Sequence, residues 1–322
     1  MWRCSSALGI PLGSVTRPPY RRPRARSRAA RDSRRVHRIL STIARMSEAR
    51  ARIAEINRFP VKSMAGELIP AAALDPLGIP GDRRFAVRDL DTDKILSAKR
   101  PAVGRLLLDC AAWTDDSGVV RIRVRDREYP ATDTVGLDAA LSAHLGCRAK
   151  LESTVTGDEA YESYWPEIEG LALSDVTVDF PIAMSTDKGT FVDLAALHVI
   201  TSSSVRHLAR LTPGSEISTA RFRPSMVCEL DEDVDEFIEN SWAERTARVG
   251  ESRWQFGPAS PRCVMTTLAQ AGLPDDRAVL RSIAAHNRLE MAGFGNFACL
   301  GVYAEVVEPG LVRVGDEIIF DA

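Results

Sequence analysis

Cys263 follows Arg262 and leads straight into Val264-Met265-Thr266-Thr267, a short β-prone run. An adjacent guanidinium favours the thiolate, the form of cysteine that binds a soft metal or attacks an electrophile. Read on its own, the same residue is a small apolar core side chain, because free cysteine is among the most buried residue types. Other stretches carry groups that could complete a site around it. Lys62 and Ser63 leave a strand at Phe59-Pro60-Val61, and a lysine beside a serine can clamp a phosphate through a point charge and a hydroxyl donor. Arg83 and Arg84 enter a strand after Gly78-Ile79-Pro80-Gly81-Asp82, where alternation sends one of them inward. Thr201 and Ser202 precede an amphipathic stretch; helix capping and anion binding by free N–H groups explain them equally well. Arg221 and Arg223 would share one face of a strand that Pro224 interrupts, a place from which a forked donor reaches an oxyanion.

Those groups need a scaffold, and the hydrophobic pattern supplies two sets of short strands. In the first, Ile53 and Ile56 flank an extended run, a strand follows the Gly78 to Gly81 turn, and Asp91-Thr92-Asp93-Lys94 makes a hairpin tip. Runs at 106–113, 119–124 and 149–155 are spaced as in a small barrel or sandwich, with a short helix over 136–146. His144 reads as a helix-end residue rather than a ligand. Residues 156–170, with Tyr161, Tyr164 and Trp165, read as a linker or edge loop. In the second set a strand over 197–200 runs through Thr201 to Ser204 into a helix over 205–211. A strand is expected over 220–227, a solvated acidic loop over 229–239, and a Gly257-Pro258 turn between Phe256 and Arg262. Asp275 and Asp276 open a helix with one buried face of Val279, Leu280, Ile283 and Ala284, and strands at 296–303 and 312–319 close the chain.

The 322 residues, 45% hydrophobic and 27% charged, can bury a large core in about two domains, as in a soluble globular protein. The cysteines (Cys4, Cys110, Cys147, Cys228, Cys263 and Cys299) lie too far apart for a CxxC pair or an iron–sulfur spacing, which suits reduced thiols in a cytosol-like compartment. Residues 1–45 hold twelve of the 42 basic residues and one of the 44 acids, so the remainder has 30 basic against 43 acidic residues, a net −13. An acidic body argues against nucleic acid as a partner. The arginine-rich head lacks the apolar core of an export signal. Its composition suits a mitochondrial transit peptide, although Pro18, Pro19 and Pro23 oppose an amphipathic helix. It also suits a disordered tail or sequence upstream of a true start at Met46. No run of 18 apolar residues occurs, so no membrane span is expected.

Taken in order, Pro60-Val61-Lys62-Ser63, Gly81-Asp82-Arg83-Arg84-Phe85, Arg221-Phe222-Arg223-Pro224, Arg262-Cys263 with Thr266-Thr267, and Val314-Gly315-Asp316 resemble the MOSC-domain proteins. The likeness is to the branch with an N-terminal MOSC β-barrel, which includes the mitochondrial amidoxime-reducing component and its bacterial relatives. It implies a mainly β chain with some α (α+β): an arginine-rich extension over 1–47, an N-terminal small β-barrel domain over 48–165, and a MOSC β-barrel domain with peripheral helices over 171–320. It also implies a molybdenum cofactor held between the two regions, with Cys263 as the catalytic residue and the protein ligand to the metal. By the same matching, Lys62, Ser63, Arg83, Thr201, Ser202, Arg223, Arg262 and Tyr303 would hold the cofactor's phosphate and pterin. Ser225 and Pro261 depart from the asparagine and serine common in the reductase branch, beside the expected site.

The activity implied is reduction of N-hydroxylated or other N- or S-oxygenated small molecules. No C-terminal ferredoxin-like domain is recognisable, so electrons would come from a separate protein of ferredoxin, flavoprotein or cytochrome type. Two alternatives stay open: a persulfide carrier of the cofactor-sulfurase type, and a cofactor-binding module without turnover. Pyridoxal phosphate is not expected. The compartment expected is cytoplasmic, or mitochondrial if the head is a transit peptide. A chain beginning at Met46 should purify with unchanged solubility, thermal stability and cofactor content; loss of soluble protein would count against dispensing with the head.

Overall fold

The computed structural model describes residues 50–321 apart from 101, 154, 156–158, 165–176, 183–188, 233 and 292–294. The expectations for the arginine-rich head, for Trp165 and for Ser185 to Lys188 lie outside the described residues.

The first strand, β1 (Ala51–Arg58), turns Ala51, Ile53 and Ile56 into the core. A spacing of three between Ile53 and Ile56 breaks strand alternation, and a register shift between Ile53 and Glu55 explains it: the bulge adds one residue and returns Ile56 to the inner face. Six further strands join β1: β2 (Leu197–Thr201), β3 (Met226–Leu230), β4 (Thr246–Val249), β5 (Ser252–Pro261), β6 (Gly295–Glu308) and β7 (Glu317–Phe320). They pair in the order β2–β3–β1–β7–β4–β5–β6, and β6 pairs back onto β2, so the sheet closes into a barrel. One strand from the first half of the chain therefore sits between two from the second, with Ile53 opposite Cys228 and Ala51 opposite Ile318.

Three helices, α1 (Thr134–Leu145), α2 (Ser202–Leu211) and α3 (Arg277–His286), start at short polar caps. Asp133, Thr201 and Asp276 accept from the amides of Gly136, Ser204 and Ala278 at 3.0, 3.0 and 2.8 Å, pairing N–H groups a helix start leaves free. The β2–β3 pair is parallel and needs a crossover, which α2 provides. Val205 and Leu208 of α2 join Val279 and Ile283 of α3 on Ile200, Val227 and Leu300 of the barrel.

The rest of the first half builds a second β layer. Strands Thr177–Pro181, Ala160–Tyr164, Lys94–Ile95, Ala86–Asp89 and Ala149–Glu152 pair in that order. A meander of Ala111–Thr114, Val120–Val124 and Arg127–Pro130 shares a core with α1. The chain is mainly β with few helices, as expected, and Arg50–Ala322 forms one compact unit. No helix among the described residues is long and apolar enough to cross a membrane.

Several local expectations need correction. Gly104–Asp109 is a 3-10 helix rather than the start of a strand, because Gly104 lies flush against the Ser97 carbonyl, leaving no room for a Cβ. Thr219–Phe222 and Val264–Thr267 are also 3-10 turns. Gly257 and Pro258 bulge within a continuous β5 instead of ending it. Ala160–Tyr164 is a paired strand, not a linker.

If β1 closes the barrel, a fragment beginning at residue 186 lacks the partner of both β3 and β7. It should show no cooperative unfolding transition by circular dichroism, and adding a peptide of residues 50–60 should restore one.

Candidate functional site

Beyond Arg58 the chain leaves β1 as Phe59-Pro60-Val61-Lys62-Ser63. Asp82 accepts from the Phe59 amide at 2.7 Å and pairs with the Arg83 guanidinium. Arg83 and Arg223 both stack over the Phe59 ring, at 4.5 and 4.2 Å from its centroid, and Arg83 Nη2 donates to the Arg223 carbonyl at 3.4 Å. Burial, and then the nearby Arg83, push Arg223 down to about 9. Of seven non-glycine residues with positive φ among the described residues, three are Ser63, Arg83 and Arg223. Such conformations cost about 1–3 kcal/mol each and gather where function dictates geometry.

Lys62 points away from solvent. Its ammonium pairs with Asp193 and donates to the Phe191 carbonyl at 3.0 Å. Burial pushes it down to about 8, although Asp193 pulls the other way. Lys99 approaches the same carboxylate at 3.0 Å and donates to the Tyr161 hydroxyl at 3.0 Å. Burial opposes its charge too, but Asp193, Tyr161 and Cys263 outweigh it, and Lys99 stays well above its ordinary value. Asp193 is held well below the carboxylate range: burial raises it, and the two lysines more than reverse that.

Cys263 is partly exposed, in extended backbone at the head of Val264–Thr267, where its carbonyl accepts from the amide and hydroxyl of Thr266. Register irregularities in β5 bend the strand just before it. Two further contacts place it. Ala98, next to Lys99, packs with Leu108 and Leu268 against Val264 and Met265. Arg221, fully buried, donates to the carbonyls of Glu216 and Pro274 at 2.9 Å and of Thr266 and Leu268 at 3.5 Å, tying down the segment after Cys263. Arg221 and Arg223 thus diverge instead of sharing a strand face, because the 3-10 turn rotates one away from the other.

Arg262 does not turn to the neighbouring sulfur as its position in sequence suggested. Its Nη1 donates to His198 Nε2 at 3.1 Å and to the Leu300 carbonyl at 3.4 Å, while its buried Nε has no partner among the described residues. His198 is buried; desolvation, and then Arg262, hold it well below the usual range, so it stays neutral. Gly301 makes room for that ring: it has φ +81°, and a Cβ there would stand 2.4 Å from His198 Nε2. Tyr303 faces His198 across the β2–β6 pair, ring centroids 6.0 Å apart.

The hydroxyl residues divide. Ser63 Oγ accepts from the Ala98 amide at 3.1 Å and so ties the Lys99 loop to the Lys62 loop. Thr201 is fully buried, its hydroxyl capping α2 and its amide bound to Glu239. Glu239, which the sequence pattern placed in a solvated loop, is a buried carboxylate that also takes the Ser204 hydroxyl. It fills the anion position at the α2 N-terminus, so the expected Thr201 and Ser202 phosphate site narrows to Ser202, whose buried Oγ has no partner among the described residues.

Lys62, Arg83, Arg223, Arg262 and Cys263 are thus linked in one network, with Tyr303 joined through His198. Lys99, Tyr161, Asp193 and His198 belong to it and were not singled out from sequence. Arg223 and Phe59 also line a cleft of about 270 Å³ with Glu55, Asn57, Glu67 and Gln270. The donor set suits an anionic, polar ligand, and the unpartnered Arg262 Nε is a group such a ligand would satisfy.

Neutral His198 makes stability depend on pH. Its folded pKa lies below the unfolded value of about 6.5, so the unfolded chain gains a proton first as pH falls. Stability is fully present above about 6.5 and lost progressively below it. Chemical unfolding midpoints measured from pH 7.5 to 5 should fall less steeply for His198→Gln than for the wild type; equal slopes would show that His198 titrates normally.

Two family models match the chain: the MOSC N-terminal beta barrel domain over residues 50–165 and the MOSC domain over 186–319. Mitochondrial amidoxime-reducing component 1 of Mus musculus is 22% identical over 346 residues, covering 98% of this chain and 91% of that protein. Among solved structures, the YUAD protein from Bacillus subtilis matches at 10% identity with a TM-score of 0.42, covering 85% of this chain and 97% of that one. YiiM from Geobacillus stearothermophilus matches at 11% identity with a TM-score of 0.29, over 51% and 73%. The two domain matches, consecutive and in order, place the chain among the MOSC-domain proteins that carry an N-terminal MOSC barrel.

Proposed function

We propose that this protein binds a molybdenum cofactor and reduces N-hydroxylated or other N- or S-oxygenated small molecules, with electrons from a separate donor protein. The mouse relative is named for reducing amidoximes, and its likeness spans nearly the whole chain. The observation that carries the reading is the charge balance around Cys263. Lys62, Arg83, Lys99, Arg223 and Arg262 meet the carboxylates of Asp82 and Asp193, so positive charge is in excess in this cluster. A thiolate and a phosphate would offset it.

Among the described residues no three His, Cys, Asp or Glu side chains converge as a metal cage, so a metal here would have Cys263 as its protein ligand and bring the others with its cofactor. When bound, the cofactor supplies the two-electron redox chemistry that breaks the N–O or S–O bond. The chain's own part is to hold it. Lys62, Arg83 and Arg223 supply charged donors, Ser202 and Arg262 supply unpaired ones, and Tyr303 lies beside His198 at the barrel rim. Arg221 keeps the Cys263 segment in place. The cleft beside Arg223 is large enough for a small molecule. Reduction of an N-hydroxylated substrate consumes two electrons and two protons and releases water.

Protein purified from a cofactor-competent host should carry molybdenum and pterin, and should reduce an amidoxime when a reductant is supplied. Cys263→Ser replaces a soft ligand with a hard one; it should keep much of the pterin and lose the reduction. Near-normal activity in that variant would remove Cys263 from the chemistry. Release of sulfide from wild-type protein on reduction, without stoichiometric molybdenum, would favour a persulfide carrier instead.

A further inference from the structure

Lysine is scarce in this chain: there are five against 37 arginines, yet two of the five meet at one carboxylate. Asp193 gives one oxygen to Lys62 and the other to Lys99, with the two side chains only 5% and 17% exposed. Both ammonium groups stand over the same ring, 4.8 and 4.7 Å from the Tyr161 centroid. Each ammonium has three N–H donors and no acceptor. Lys62 uses two, on Asp193 and the Phe191 carbonyl; Lys99 uses two, on Asp193 and the Tyr161 hydroxyl. Among the described residues the third N–H of each finds no oxygen or nitrogen acceptor, only the face of the Tyr161 ring, and such a donor is one that an anion satisfies.

The backbone just before Asp193 is anchored. Phe191, two residues before it, is fully buried, donates its amide to the Arg83 carbonyl at 2.7 Å and accepts from Lys62. A carboxylate fixed in this way aims both lysines at once. It also holds two like charges together that would otherwise repel. Compact ammonium groups suit such a spot better than the wide guanidinium fork the chain uses elsewhere.

We propose that Lys99 is a second lysine of the anion seat begun by Lys62, that Asp193 is the positioning residue that aims both, and that the seat takes one dianion of the phosphomonoester class. The proposal rests on the cofactor reading above, since the cofactor carries such a group. Arg83, which also acts on Lys62, and Cys263, which acts on Lys99, lie around the same seat.

The test uses the full chain made in a host that lacks the cofactor, titrated with inorganic phosphate by calorimetry, together with pterin content of the same variants from a competent host. Lys99→Met should weaken phosphate binding roughly tenfold or more, the loss of one charge-assisted bond, and lower the retained pterin. Lys99→Gln serves if the first variant does not fold, and Lys150→Met, on the surface, should match the wild type. Asp193→Asn decides the positioning role by its sign: removing a negative charge alone would tighten phosphate binding, whereas loss of aim weakens it. Tighter binding by Asp193→Asn, or wild-type phosphate affinity and pterin content in Lys99→Met, would overturn the proposal. A wild type that binds phosphate through Lys99 yet carries no pterin would uphold the seat and overturn the cofactor reading.

Discussion

The barrel closes only because β1 lies between β3 and β7. Without it both neighbours would present a row of unpaired N–H and C=O groups. With it, the residues that follow are delivered to the barrel rim, where Arg223 and the Cys263 segment already stand. The join is tight: the Asn57 amide donates to the Ser225 carbonyl and the Ser225 amide to the His198 carbonyl, both at 2.8 Å. Ser225 is thus part of the backbone stitching that connects β1 to His198. A single strand insertion sets the distance between the Lys62 loop and everything the later half contributes.

Around that rim the protein accepts a local cost. Cations are packed side by side, and three of the residues that hold them adopt left-handed backbone. Asp82 and Asp193 offset part of the repulsion, and the Phe59 and Tyr161 rings offer their faces to four of the charges. Among the described residues of this cluster, cations still outnumber carboxylates. Charge and strain together mark a surface arranged for something it holds rather than for stability.

Sequence pattern made the β-rich class and α3 with its cap legible, and glycine, proline and the Arg-Cys pair drew attention to Lys62, Arg83, Arg223 and Cys263. What it could not show was direction. Arg262 is next to Cys263 in sequence, yet its guanidinium turns to His198, since β5 bulges before it and Gly301 leaves a place for the ring. Lys99 sits in Ser97-Ala98-Lys99-Arg100, a stretch without periodicity or motif, and tertiary contacts of Ala98 with Ser63 and of Lys99 with Asp193 and Tyr161 bring it to the site. Tyr161 comes from a segment that reads as a linker or edge loop, and the segment of Asp193 carries no pattern that marks it. Glu239 lies in an acidic run that composition alone assigns to solvent, and burial at a helix start is a tertiary fact no local pattern carries.

The position of β1 also bears on how the chain comes into being. Ala51 and Arg52 leave the ribosome long before their partners Ile318 and Glu317. The barrel cannot close before β7 has been made, and until then the first strand does not have its partners on both edges. Such long-range pairing makes folding slow and leaves intermediates prone to association. The Lys62 loop can therefore meet the Arg223 and Cys263 segments only after the later strands have been made and have taken β1 between them.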